Sequence, residues 1–306
     1  TAYVIAENNY LEGNCEKATR DFTNYLKRYP QGVFSLNAHF YRGSCEAAAG
    51  FDQEAASDFE FVLDKPSNKF TEKALVELAR IYRSMDYLDS AAVLYKELLS
   101  TAVRTTNQNQ ARIALMEIYF EKEDYKSASE YAKTLLDGSL LPTDLWQKAQ
   151  LTLAKTYFEQ ENYQQSEFYL DTLSSAKTKF GAEAKYMLAQ MHYLKGNYAE
   201  SDSMIYLLVD QVPSFPYWIA KGFILLADNF IAKGDAYNAR VTFQSVIDNA
   251  EDEELLSIAK EKLRILNDSE KKQLEEEEII EIELNNNEEE NSKLFESDTT
   301  SVKTVK

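Results

Sequence analysis

A small residue followed four positions later by a usually bulkier one recurs along the chain at Ala18/Phe22, Ala55/Phe59, Ala91/Tyr95, Ala128/Ala132, Ser166/Leu170, Ser201/Ile205 and Ala239/Phe243. Successive pairs are 37, 36, 37, 38, 35 and 38 residues apart. Twelve residues before each pair stands a second register, Ala6, Gly43, Ala79, Met116, Ala154, Ala189 and Ala227, small everywhere but at Met116. The residue ahead of it is mostly Leu (Leu78, Leu115, Leu153, Leu188, Leu226), and three after it come Tyr82, Tyr119, Tyr157, His192 and Phe230. Apolar residues at i, i+1 and i+4 form one stripe of an α-helix. A unit of this length cannot bury its own apolar face, so successive units must stack.

Between the two registers lie short polar turns such as Glu12-Gly13-Asn14, Lys122-Glu123-Asp124, Lys195-Gly196-Asn197 and Lys233-Gly234-Asp235. Gly or Asn there provides the left-handed backbone that ends a helix, and Asp or Asn caps the next. All five prolines, Pro30, Pro66, Pro142, Pro213 and Pro216, fall in the segments joining one hairpin to the next, where a missing amide does no harm. Small side chains let antiparallel helices approach closely while the bulky partner fills the neighbouring hole. The expected fold is all-α: a right-handed α-solenoid of about seven helical hairpins.

The pattern resembles the tetratricopeptide repeat (TPR). The residues that carry the resemblance are Leu188-Ala189, Gly196-Asn197-Tyr198, Ser201 and Ile205 in one copy, and Leu226-Ala227, Phe230, Gly234, Ala239 and Phe243 in another. It covers roughly residues 1–250. Copies of 35 to 38 residues, with few helix-start tryptophans, look more like divergent TPR proteins of the bacterial cell envelope than eukaryotic co-chaperones. The resemblance implies a protein-binding scaffold whose groove is lined by the first helix of each hairpin.

Residues 251–267 read as a capping helix, with Glu251-Asp252-Glu253-Glu254 at the end where the helix dipole favours acids. Its apolar face includes Leu255, Ala259, Leu263 and Leu266. Residues 268–306 read as an acidic tail, partly helical and then disordered from about 285.

Net charge is −18, and residues 251–306 hold 18 acidic against 8 basic residues. That field repels polyanions and argues against a nucleic-acid partner. No apolar run approaches the ~20 residues of a membrane helix, so membrane association would come through a partner. The chain begins Thr1-Ala2-Tyr3-Val4, without Met or a leader pattern, which points to a fragment or processed product. A periplasmic or envelope location is the expectation, with the cytoplasm as the alternative.

Two His and two Cys in the whole chain leave little for metal or nucleophilic chemistry. His192 occupies the aromatic register and reads as a packing residue. His39 has no acidic or Cys companion at ligand spacing. Cys15 and Cys45 lie near the turn ends of adjacent helices; packed free thiols are the preferred reading, a disulfide the other. No Glu stands in an apolar setting that would raise its pKa, and no cofactor or metal site is expected.

The groove registers implied by the resemblance place Lys73, Arg80 and Arg83 on one first helix, Gln110, Glu117 and Phe120 on the next, and Lys148, Lys155 and Phe158 on a third. Glu183, Tyr186, Gln190 and Tyr193 follow, then Lys221 and Asp228. The middle of this lining is locally basic and interleaved with rings, a composition suited to a peptide carrying acidic and apolar groups. The TPR clamp for C-terminal carboxylates is not matched, because Phe40, Val76 and Ile113, then Ser44, Arg80 and Glu117, occupy its registers. The expected function is a non-enzymatic adaptor for a protein or peptide partner, in a bacterial envelope assembly. The alternative is a structural spacer with an empty groove. A solenoid enzyme and a single-base RNA reader are both disfavoured, the first for want of a catalytic Glu, the second by charge.

Overall fold

The computed structural model describes the backbone of residues 1–138 and 141–301, with side chains to residue 276 and at Ile279 and Ile280. Among the described residues there are fifteen helices and no strand. They are α1 Ala2–Leu11, α2 Cys15–Arg28, α3 Ser35–Ala48, α4 Asp52–Leu63, α5 Thr71–Ser84, α6 Leu88–Thr101, α7 Thr105–Glu121, α8 Tyr125–Asp137, α9 Thr143–Glu159, α10 Tyr163–Ser174, α11 Lys179–Leu194, α12 Tyr198–Val209, α13 Pro216–Ala232, α14 Ala236–Asn249 and α15 Glu253–Ser301. The first fourteen form the seven expected hairpins. They fall into two compact units, Thr1–Leu173 and the residues from Ser174 onward.

In the first unit α1 touches α3, α3 touches α5, α5 touches α7 and α7 touches α9, whereas no such contacts join the even helices. The odd helices therefore lie on the inner side of the stack. The second unit repeats the arrangement, with α11 against α13 and α13 against α15.

Each hairpin turns on one residue with positive φ, always five before the small residue of its second helix: Gly13, Gly50, Asp86, Glu123, Glu161, Gly196 and Gly234. Four are Gly, as the local chemistry asks; the other three hold a left-handed conformation that a Cβ disfavours by roughly 1 kcal/mol. Stacking imposes that geometry on them. Six of the turns also close with an amide bonded five residues back, for example Tyr87 N to Tyr82 O and Asp235 N to Phe230 O, which satisfies carbonyls left over at a helix end. Asp124, Asn162 and Asp235 cap the following helix through their side chains.

The two small registers face one another inside each hairpin. Ser166 Oγ donates to Ala154 O at 2.9 Å with both residues fully buried. A Cβ built on Gly43 would lie 3.4 Å from Ala55 O and 2.9 Å from Asp58 Cβ. The structure adds a third small register, five residues before the first-helix position: Ala38, Ala74, Ala111, Ala149, Ala184 and Gly222, all buried. At Gly222 it meets the preceding hairpin, since a Cβ there would lie 3.3 Å from both Ile205 Cγ2 and Leu208 Cδ2 of α12. Ala259 of α15 continues this register 37 residues beyond Gly222 and is fully buried.

Cys15 and Cys45 form a disulfide, with Cα atoms 5.1 Å apart. The preference for free thiols is thereby corrected. Packing of α2 against α3 sets the first residue of one beside the last turn of the other, within the separation a disulfide requires.

The backbone of α15 continues past residue 267, where the capping segment was expected to end. Leu255, Ala259 and Leu266 pack on α13 and α14 with Phe243 and Val246, and further out Lys271–Glu275 and Lys272–Glu276 pair at i,i+4. The disorder expected from 285 falls on residues whose side chains lie outside the described residues, as do residues 302–306 altogether.

Two outcomes follow for stability. Gly43→Ala should lose about 1–3 kcal/mol in urea unfolding, because a Cβ against Asp58 forces the helices apart and outweighs the better helix propensity. Replacing both Cys15 and Cys45 by Ser should cost about 3.6 kcal/mol in the same assay, the loop-closure value for a 30-residue separation; an unchanged midpoint would mean that the disulfide does not stabilise the fold.

Candidate functional site

The odd-helix face is where every expected groove residue sits, and it differs between the units. In the first unit three cations on this face, Arg80, Arg83 and Lys148, are already engaged. Arg83 of α5 reaches α7, donating to Glu117 and, at 2.5 Å, to Glu121. Lys148 of α9 pairs with the same Glu117, and Arg80 turns back to Glu77 at 3.1 Å. A ladder of ion pairs thus crosses α5, α7 and α9 in place of the basic patch counted from sequence. Lys73 and Gln110 are exposed, and Lys155 is half-buried. Phe120 and Phe158 pack edge-on against Tyr125 and Tyr163 across their turns, at 5.7 and 5.5 Å. Those rings brace the hairpin ends.

In the second unit the face closes into a cleft of 250 Å³. Tyr186, Gln190 and Tyr193 come from α11, Lys221 and Asp228 from α13, and Ile258 and Lys262 from α15. Five of the six residues expected here line one space; Glu183 stands outside it. Helical spacing explains the convergence: Tyr186, Gln190 and Tyr193 fall at i, i+4 and i+7, and Lys221 and Asp228 at i and i+7.

Lys221 Nζ lies 5.0, 5.6 and 5.3 Å from the ring centres of Tyr186, Tyr217 and Trp218. A cation over three ring faces is held in place by their quadrupoles. Asp228 accepts two bonds from Lys262 Nζ, both 2.9 Å. Burial pushes the Asp228 carboxyl above its ordinary value, and the Lys262 contact offsets part of that shift. Ile258 and Lys262 were not expected in the groove. The sequence does hold the signal, because continuing the 37-residue period through Ala259 makes α15 an eighth first helix.

A buried polar cluster in the first unit was also missed. Asp58 of α4 accepts from Arg42 Nε at 2.8 Å and Nη2 at 2.7 Å, a bidentate fork, and its Oδ1 lies 2.7 Å from His39 Nδ1. The His39 ring stacks on Phe61 at 3.8 Å. The acidic companion of His39 is therefore nineteen residues away, on the facing helix. Glu46 lies beside them, 8% exposed, with Arg42 Nε at 3.7 Å and Oε2 buried without a partner. Burial, and next the charge of Asp58, push the Glu46 carboxyl up to about 7. The expectation that no Glu is so placed is corrected. The cluster occupies helix packing within the first unit, and among the described residues no group of His, Cys, Asp and Glu could hold a metal ion. No described helix is long and apolar enough to cross a membrane.

A tetratricopeptide repeat family model matches residues 151–201. No curated protein matches the sequence. Among solved structures, a tetratricopeptide repeat protein from Parabacteroides merdae is similar with a TM-score of 0.55 and 16% identity, over 87% of this chain and 97% of that one. The C-terminal part of a TPR repeat-containing protein from Cytophaga hutchinsonii gives 0.60 and 12%, over 83% and 98%. PilW, a widely conserved type IV pilus biogenesis factor, gives 0.53 and 20%, over 74% and 99%. The chain carries the TPR fold.

The Glu46 cluster makes stability pH-dependent. A carboxyl whose folded pKa is raised contributes stability that is complete below the unfolded value, 4.5, and is lost as pH rises through about 7. Around Glu46 the charged or titratable groups are Arg42, His39, Asp58 and Glu54. Between pH 5 and 8 the wild type should lose about 2 kcal/mol more than Glu46→Gln, read as the difference between their urea midpoints; parallel pH profiles would refute the assignment.

Proposed function

We propose that this TPR-fold chain is a non-catalytic adaptor whose odd-helix face receives a peptide or protein segment of a partner, with the cleft among α11, α13 and α15 as the principal contact. The observation that carries this reading is the cleft itself: tyrosine rings, a ring-held lysine and a half-buried Asp228–Lys262 pair around one open space. Aromatic anchors beside fixed polar groups are what concentrate binding energy at protein interfaces. In the first unit the ion ladder favours a scaffolding role, since a ligand there would have to displace paired charges.

A setting outside the reducing cytoplasm, in a bacterial envelope assembly, agrees with the Cys15–Cys45 disulfide. The likeness of fold to PilW is compatible with it.

Captures from native cells with the intact chain, Tyr186→Ala and Lys221→Glu as parallel baits should retain a shared set of partners on the wild type. The two variants should lose those partners by about tenfold or more, with unchanged helical circular dichroism. Identical partner yields on all three baits would leave the cleft without a role and favour the spacer reading.

A further inference from the structure

A larger cavity, of 680 Å³, lies in the second unit outside the odd-helix cleft. Ile219 and Phe223 of α13 and Val246 of α14 form its apolar wall, Ser245 stands at one side, and Glu251 and Asp252 belong to its mouth. It stays open because the joint between α14 and α15 spans only Ala250 to Asp252, and the apolar side chain it offers is a single methyl. By contrast six residues join α2 to α3, and the last of them, Phe34, stacks on Tyr3 at 4.3 Å.

The charge at this mouth is one-sided. Asp248, Glu251, Asp252, Glu253 and Glu254 crowd seven positions, and none is ion-paired with a Lys or Arg among the described residues. Part of this has a structural cause. The N-terminal end of α15 favours Glu253 and Glu254, Asp252 accepts from Leu255 N at 3.0 Å, and Asp248 accepts from Gln244. Glu251 has no such partner and faces the opening. Tyr217, beside it, has its hydroxyl pushed up by burial and then by the charges of Glu254, Asp252 and Glu183.

We propose that this cavity is a docking site for a partner peptide in which an aromatic or branched aliphatic side chain is flanked by lysine or arginine. The apolar side chain fills the space between α13 and α14, and the flanking cations meet the acidic mouth, where complementary charge sets recognition and approach. The site is independent of the odd-helix cleft, so either reading can fail alone.

The test is fluorescence anisotropy of a labelled Lys-Lys-Leu-Phe-Lys-Lys peptide on the intact chain at low salt. Binding is expected, and the matched Lys-Lys-Ser-Gly-Lys-Lys peptide should bind about tenfold more weakly. Ser245→Trp, which fills the cavity from the exposed side of α14, should weaken the first peptide about tenfold. Glu251→Lys should weaken it about threefold, while Glu276→Lys, the same charge change further along α15, leaves it unchanged. Equal affinity for the two peptides, equal losses at Glu251 and Glu276, or no binding at about 1 mM would overturn the proposal. Because the peptide comparison uses the wild-type chain, a Ser245→Trp variant that fails to fold does not spare it.

Discussion

Close approach of helix backbones at side chains no larger than a methyl or hydroxymethyl is the constraint from which the rest of the structure follows. Two contacts enforce it. Inside a hairpin the first-helix register meets the second-helix register, closely enough for Ser166 to bond the carbonyl of Ala154. Between hairpins Gly222, of the register that also holds Ala38, Ala74, Ala111 and Ala149, meets the preceding second helix. With backbones this near, Phe22, Phe59 and Phe243 find holes deep enough to be fully buried, and burying a ring contributes far more than the small residues forgo. Geometry at the turns then follows rather than leads. Asp86, Glu123 and Glu161 adopt the left-handed conformation that Gly takes elsewhere because the packed helices leave the chain no other path.

Much of this was legible in the sequence because it is periodic and local. Helix stripes, turn residues and the placement of the prolines depend on neighbours within one or two turns of chain. The third small register is equally visible in the residues, and more uniform than the one containing Met116. Its role is not legible within one repeat, because at Gly222 the partner lies on the previous hairpin. What sequence could not resolve shares that character. The disulfide depends on a separation between Cα atoms of different hairpins, and the companion of His39 stands on the facing helix. Glu46 looks solvated in the sequence and becomes buried only when α4 covers it.

Electrostatics shows the same contrast most clearly on the groove. Counting Lys73, Arg80, Arg83, Lys148 and Lys155 gives a basic surface, but Glu117 and Glu121 come from the helix between them and take up Arg83 and Lys148. The charge of a stacked-repeat face is therefore set by which residues of successive first helices align, here 31 to 38 positions apart. In the second unit the alignment yields rings around Lys221 instead of carboxylates. A cation held by rings keeps its charge available to an approaching anion in a way that one already in an ion pair does not.

The terminal helix shows how one element can end a stack and build surfaces at once. Ala259 occupies the inter-hairpin register, so α15 docks as any first helix would, and Leu255 and Leu266 complete the last core. Five residues after Ala259, where six of seven preceding first helices carry Ala or Gly to admit their own second helix, stands Arg264, with a side chain 61% exposed and paired to Glu261 and Asp268. A large charged residue at that register offers no close approach, which is the property a terminal repeat needs if its outer face is to remain in water. Because α15 stops the packing without being covered, its own side chains are left to work elsewhere. Lys262 reaches across to Asp228 and floors one cleft, while its N-terminal acids rim the other cavity.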